Sequence, residues 1–262
     1  MVNETPDRNS DAIVVGLGEY DTGWHDPVES LRRARELAGR ARAAGVGLLV
    51  LPEMCTTGFT MEAEQYAESE DGASMNAIAE IAAEHGLWIV AGLSMRRSGR
   101  FVNSAVTFAP DGSIAAVYDK QRLFGYATEH EIYSPGTEPC VVRIGPISAA
   151  LFICFDLRFP EIFREVGPQV DAIILIANWP SQRQRHWEIL TQARAIENQC
   201  YLVGVNRTGE AGGLNYKGGS VVFDPWGERC DAAAARDGLR IAELSHRKVA
   251  QVRRSFPLLQ QS

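Results

Sequence analysis

Short runs rich in Val and Ile alternate with helical patterns from end to end of this 262-residue chain, and that alternation restricts it to the α/β class. Runs at 12–17, 47–51, 87–93, 102–108, 114–118, 147–155, 172–177, 201–205, 220–223 and 239–244 read as strands. Between the first two, Leu31, Ala34, Ala38 and Ala41 recur at the spacing of one helix face. A second helix presents Met75, Ile78, Ala79 and Ala82. A third, over about 183–197, presents Trp187, Leu190, Ala193 and Ile196. From 87 to 118 the strands are joined by turn signals, Ser98-Gly99 and Asp111-Gly112, instead of helices. The sheets are therefore expected to be mixed, with helices covering one face of each. No composition shift, low-complexity segment or internal repeat divides the chain. One domain over 1–262 is expected, closing in a helix and tail from about 245 that suits a dimer interface.

Charge and cysteine usage narrow the partners. The net charge is −7 and no long run of Lys or Arg occurs, so nothing is available to neutralise nucleic-acid phosphates or an anionic membrane. Cysteines at 55, 140, 154, 200 and 230 form no Cys-x-x-Cys pair, which argues against a disulfide framework and against zinc. The first ten residues are polar and lack the apolar segment of a secretion signal, and runs such as 147–155 are too short to span a bilayer. The expectation is a reduced, cytoplasmic protein. Gly16-Leu17-Gly18 lacks the third glycine of a dinucleotide fingerprint, and the glycines at 212–213 and 218–219 read as turns. No cofactor and no metal are expected.

Three strand ends carry residues that a core would not choose. LLVLPE ends in Glu53, AVYDK ends in Lys120, and SAALFICFD carries Cys154 just before a helix expected at Pro160. Ligands collect beyond the carboxyl ends of strands in α/β sheets. A thiol, a carboxylate and an ammonium gathered there suit acyl transfer: the thiol attacks, the carboxylate takes its proton, the cation holds the oxyanion. Each residue alone also has a plainer reading, Cys154 as a small core residue and Glu53 with Lys120 as a surface ion pair. Periodicity does not bring the three together.

The segments LPEMCTTGF around Glu53, YDKQRLF around Lys120 and CFDLRFPEIFR around Cys154 resemble the three signature segments of the nitrilase superfamily of carbon–nitrogen hydrolases. The likeness runs on through ANWP at 177–180, HWEILTQARAIENQCYLVGVNR from His186, and GGSVVFDPWGE up to Glu228, in the same order. Within the superfamily the chain is most similar to the bacterial ω-amidases, which hydrolyse the terminal amide of 2-oxo acid amides. The resemblance implies an α-β-β-α sandwich that dimerises through helices. It also implies Glu53 as general base, Cys154 as nucleophile and Lys120 as stabiliser of the transition state. Glu129 matches a second glutamate of these enzymes, with Glu131 as a rival. The oxyanion is expected to lie between Lys120 and the backbone N–H of Phe155. Two positions depart from the usual pattern: Phe155 replaces a hydroxylated aromatic, and Arg122 stands where His is common.

The substrate is then a small amide, with nitriles and carbamoyl compounds open to the same thiol. Phe59, Phe155 and Trp179 are expected to wall the site. Arg158, four residues after Cys154, either grips a substrate carboxylate with two parallel hydrogen bonds or pairs with Glu161 or Asp156 to fix the turn. A Cys–His enzyme is the rival chemistry, its histidine to come from His25, His85, His130, His186 or His246, with His186 the one near the site. A binding protein on the same scaffold is the rival without chemistry, and it would be expected to lack one of the three residues.

Overall fold

The computed structural model describes residues 11–231 and 237–261; the N-terminal decapeptide read above as lacking a leader lies outside the described residues. In chain order the elements are β1 (Ala12–Gly18), α1 (Pro27–Ala43), β2 (Leu48–Val50), α2 (Ala63–Tyr66), α3 (Ala73–His85), β3 (Trp88–Arg97), β4 (Arg100–Phe108) and β5 (Ile114–Asp119). There follow α4 (Glu129–Ile132), β6 (Val141–Ile144), β7 (Ile147–Ile153), α5 (Pro160–Val166), β8 (Ala172–Ala177), α6 (Gln184–Asn198) and β9 (Tyr201–Asn206). The chain closes with β10 (Thr208–Ala211), β11 (Leu214–Lys217), β12 (Val221–Phe223), β13 (Leu239–Ser245) and α7 (His246–Ser255).

Two mixed sheets result, ordered β13-β1-β2-β3-β4-β5 and β12-β9-β8-β7-β6, with β10-β11 as a separate hairpin. Alternation along β2 shows how they stack. Leu48 and Val50 join Val15, Val90 and the second sheet in one core, while Leu49 and Leu51 pack with Leu37, Ala38, Ile78 and Ile81 of α1 and α3. Helices α5 and α6 cover the outer face of the second sheet through Ile162, Phe163, Trp187 and Ala195. The order of layers is thus helix, sheet, sheet, helix. Helix α1 starts where Asp26 accepts the Glu29 N–H at 3.0 Å and Pro27 takes the first turn; Arg40 and Arg42 face its carbonyl end.

The parallel pairs β1–β2–β3 and β7–β8–β9 send their carboxyl ends to one edge of the sandwich. Two antiparallel steps, β3 to β4 and β4 to β5, return β5 to the direction of β2. The residues following β2, β5, β7 and β8 therefore meet at that edge, and these include Glu53, Lys120, Cys154 and Asn178.

Several elements differ from the expectation. The strand expected over 147–155 stops at Ile153, and a 3-10 turn, Cys154–Arg158, takes the last two residues. Strands β6, β10 and β11 are additions; they are four residues each, too short for a periodic signal. In α6 the buried face is Trp187, Thr191, Arg194, Ala195 and Asn198; Leu190 and Ala193 are half-buried and Ile196 is exposed. Trp187 and Ile196 are nine residues apart, and at about 100° per residue they fall on opposite sides of the helix. In α1, Leu37 is fully buried and Leu31 only packs at the margin. No described helix is long and apolar enough to cross a membrane.

Candidate active site

Glu53 sits in the turn after β2, clamped to the neighbouring strand. Leu51 N–H donates to Val90 O, Gly92 N–H to Pro52 O and Cys55 N–H to Gly92 O, at 2.8–3.1 Å. Gly92 is required here: a Cβ at this position would lie 2.4 Å from the Glu53 Cα. The following residue, Met54, holds φ +42°, a left-handed conformation that turns the chain sharply after the acid.

The Glu53 side chain is fully buried, and both of its oxygens accept hydrogen bonds from other elements. Its Oε1 accepts from Lys120 Nζ (2.9 Å) and Asn103 Nδ2 (2.8 Å), and its Oε2 from the Asn178 N–H (2.8 Å). Asn178 Nδ2 also donates to the Glu53 carbonyl at 2.6 Å. Lys120 in turn bonds both oxygens of Glu129, at 3.0 and 2.9 Å, and Glu129 Oε2 accepts the Phe124 N–H. Asn103 on β4 gives Nδ2 hydrogens to both Glu53 and Glu129, each at 2.8 Å. Two carboxylates thus share one ammonium and one amide, so Glu53 and Lys120 form a buried assembly and not a surface pair. Burial works against the Lys120 charge, but Glu129 and Glu53 outweigh it and hold the ammonium's pKa above its ordinary value. Glu131 is exposed and 4.0 Å from His130, so of the two rival glutamates Glu129 is the one on Lys120.

Cys154 opens the 3-10 turn with φ +46°, an uncommon conformation for a side-chain-bearing residue and one that costs about 1–3 kcal/mol. The turn is tied down by the buried Asp156. Its Oδ2 accepts from Ile153 N–H and Tyr118 Oη, and its Oδ1 from the Arg122 N–H, all at 2.8–2.9 Å. One carboxylate thereby joins the Cys154 turn to the chain just past Lys120. Burial raises the Asp156 carboxyl to about 6, against the donors that favour its charge. Burial also pushes the Cys154 thiol well above its usual range; the Glu53 charge, the Glu129 charge and a hydrogen bond to Glu53 add to this, and Lys120 opposes it. The resting thiol keeps its proton; Sγ lies 3.9 Å from the Asn178 carbonyl, and the Glu53 carboxylate beside it is a group able to take the proton.

Beyond the thiol lies a cavity of about 60 Å³. Phe59, Phe155, Trp179 and Arg158 line it together with Cys154. The Phe59 ring also covers Lys120, with Nζ 5.2 Å from its centroid. Arg158 makes no ion pair among the described residues. Its Nη2 lies 3.2 Å from His186 Nδ1, and its guanidinium stands 4.9 Å from the Trp179 ring. Asp156 is committed elsewhere and Glu161 meets Arg122 at 3.6 Å, so the turn-fixing pair expected for Arg158 is absent. His186 contacts Arg158, while the Cys154 thiol meets the Asn178 carbonyl and the charge of Glu53, so the Cys–His arrangement has no support. His85 ends α3 before the left-handed Gly86, and His246 pairs with Asp171.

Sequence reasoning missed Asn103, Asn178, Phe124, Arg183 and Tyr216 as site residues. Asn178 lies inside the quoted ANWP stretch, and its place at the end of β8 was a usable signal. Asn103 is one polar residue inside a strand, with nothing local to mark it. No group of three His, Cys, Asp or Glu among the described residues is placed to hold a metal ion.

The family model described as Carbon-nitrogen hydrolase matches residues 14–254. A 2-oxoglutaramate amidase of Bacillus subtilis (strain 168) is 32% identical over 243 residues, covering 92% of this chain and 93% of the relative. An omega-amidase of Escherichia coli (strain K12) is 36% identical over 240 residues, covering 90% and 91%. Among solved structures, a CN-hydrolase superfamily protein of Xanthomonas campestris with an arsenic adduct in its active site superposes with a TM-score of 0.90 at 32% identity, covering 96% and 97%. A mutant amidase from Nesterenkonia sp. AN1, with the acetamide moiety of fluoroacetamide added covalently at its active-site cysteine, superposes with a TM-score of 0.82 at 27% identity, covering 95% and 96%. With a thiol, a carboxylate and a buried ammonium at one sheet edge and a family match over nearly its whole length, this chain belongs to the carbon–nitrogen hydrolase family.

Proposed function

We propose that this protein is an ω-amidase, cleaving the terminal amide of a small 2-oxo acid amide such as 2-oxoglutaramate and releasing ammonia. The observation that carries the reading is Arg158, a cation without a carboxylate partner in the same cleft as Cys154. A guanidinium there receives the far carboxylate of a dicarboxylic monoamide through two parallel hydrogen bonds.

Glu53 accepts the Cys154 proton as Sγ bonds to the amide carbon. The carbonyl electron pair moves onto oxygen, where the Lys120 ammonium and the Phe155 N–H stabilise the oxyanion. As the carbonyl reforms, the C–N bond breaks and Glu53 returns the proton to nitrogen, which leaves as ammonia. Glu53 next deprotonates the water that attacks the thioester, and the proton returns to sulfur as the carboxylic acid is released. Glu129 holds Lys120 in place throughout, and Phe59, Phe155 and Trp179 exclude bulk water.

The reading extends to assembly and setting. Ile189, Ile196, Trp226 and Phe256 are each about half exposed, and Trp226 stacks on Phe256 at 6.1 Å. This apolar face, with the C-terminal segment from 245, is the surface through which a homodimer forms. A cytoplasmic location suits a nucleophile that must stay reduced.

Ammonia release is measured with 2-oxoglutaramate, a carbamoyl amino acid and a nitrile, alongside Cys154→Ala and Arg158→Lys. The reading requires the 2-oxo amide to be the best substrate, an acyl adduct on the Cys154 peptide, and no turnover by Cys154→Ala. Arg158→Lys should raise KM for the charged amide by far more than for a neutral one. Preference for the carbamoyl compound or the nitrile, or an adduct on another cysteine, would replace this reading.

A further inference from the structure

We propose that Arg183 is a second specificity residue, which with Arg158 restricts the cleft to amides whose far end is anionic and bears no ammonium group. This rests on the substrate reading given above and deepens it.

Arg183 ends a 3-10 turn (Ser181–Arg183) between Trp179-Pro180 and α6. Its backbone is fixed from both sides: the Trp179 indole N–H donates to the Arg183 carbonyl at 2.8 Å, and the Arg183 N–H donates to Pro180 O at 3.0 Å. The guanidinium stands 5.2 Å from the centroid of Phe124 and lines the cleft with Arg158 and Cys154. Like Arg158, it makes no ion pair among the described residues. Each cation is held by neutral groups: Arg183 against Phe124, Arg158 against Trp179 and the His186 ring nitrogen.

The acids at the base of the cleft cannot neutralise them. Glu53 and Glu129 have their oxygens committed to Lys120, Asn103, Asn178 and Phe124. The two arginines also repel each other. Burial first, and then the Arg183 charge, lower the Arg158 pKa from its ordinary value. A free cleft with two uncompensated guanidiniums and aromatic walls is relieved by a ligand that supplies negative charge.

A 2-oxo carboxylate offers two adjacent sets of oxygens, one for each guanidinium. The matching 2-amino acid amide places an ammonium at that position instead, among two like charges and with no free carboxylate to pair with. Like-charge juxtaposition of this kind rejects a ligand without any steric clash. The cleft therefore separates 2-oxoglutaramate from L-glutamine, two molecules of nearly the same shape, by charge.

The test compares kcat/KM for 2-oxoglutaramate, L-glutamine and the neutral amide pentanamide in wild type, Arg183→Met, Arg183→Lys and Arg158→Lys. Arg183→Met should lower kcat/KM for 2-oxoglutaramate by about tenfold or more, chiefly through KM, since tenfold corresponds to one lost interaction of about 1.4 kcal/mol. Glutamine should be turned over as well as before or better, and pentanamide within about threefold of wild type. Arg183→Lys keeps the charge and should keep the rejection of glutamine even where the carboxylate grip weakens. A 2-oxo to 2-amino preference unchanged in Arg183→Met, while Arg158→Lys loses the charged amide selectively, would overturn this proposal alone. If Arg158→Lys also leaves the three substrates in their wild-type ratios, the Arg158 reading falls with it. Equal losses on all three substrates, together with a lower melting temperature, would assign Arg183 to folding.

Discussion

Lys120→Met removes a buried charge while keeping most of the side-chain length, and the structure sets what this should cost. The ammonium is fully buried and donates hydrogen bonds of 2.9, 3.0 and 2.9 Å to Glu53 and Glu129. Without it, two buried carboxylates face each other with the Asn103 amide as their one shared donor. Breaking a buried ion pair from one side costs about 3–5 kcal/mol, because the remaining charge is left uncompensated. At about 2–4 °C per kcal/mol for a chain of this class, the melting temperature should fall by roughly 6–20 °C. Loss of the proposed oxyanion donor should separately lower kcat by about 10²–10³-fold. Thermal melts followed by circular dichroism and ammonia release measured well below the variant's melting point keep the two effects apart. A variant that melts within about 2 °C of wild type would refute the buried-pair argument. Full destabilisation with unchanged kcat would leave Lys120 a structural cation and no more.

Three further predictions use other parts of the site. Glu53→Gln removes both the proposed base and a negative neighbour of Cys154, so turnover should fall by about 10²–10⁴-fold while the thiol ionises at lower pH than in wild type; thiolate absorbance against a Cys154→Ala blank checks this, and an upward shift would contradict it. Gly92→Ala places a Cβ 2.4 Å from the Glu53 Cα where 3.0 Å is the practical minimum, so the turn must move by about 0.6 Å. With about 10²-fold lost per ångström of misplacement, kcat should drop by roughly tenfold, and near-wild-type kinetics would mean that the turn yields freely. Asp156 has a folded-state pKa raised from 3.8 to about 6, so its contribution to stability is fully present below about pH 4 and lost as pH rises through 6. The Asp156→Asn variant should therefore gain on wild type in melting temperature between pH 4 and 6, and parallel curves would count against that ionisation.

Much of this protein was determined locally. Period-two alternation marks Leu48 and Val50 for one face and Leu49 and Leu51 for the other, because a strand has no other way to bury both sets. The segments carrying Glu53, Lys120 and Cys154 stand at strand ends in register with a family pattern, so their identities needed no coordinates. Helix faces were less secure, since a spacing of three drifts around the helix and put Ile196 of α6 on the wrong side. The tertiary structure alone decided which groups complete the site. Asn103 reaches Glu53 across 50 positions and Glu129 across 26, and Asn178 meets Glu53 across 125. Glu129 and Glu131 are indistinguishable along the chain, yet one is fully buried on Lys120 and the other exposed. Arg183 is one arginine among many until the turn after β8 brings it into the cleft beside Arg158. A polar contact between distant strands leaves no periodic trace, because one hydrogen bond constrains a position without constraining its neighbours. Only the stacking of the two sheets, which carries the ends of β2, β5, β7 and β8 to one edge, turns those single residues into a site.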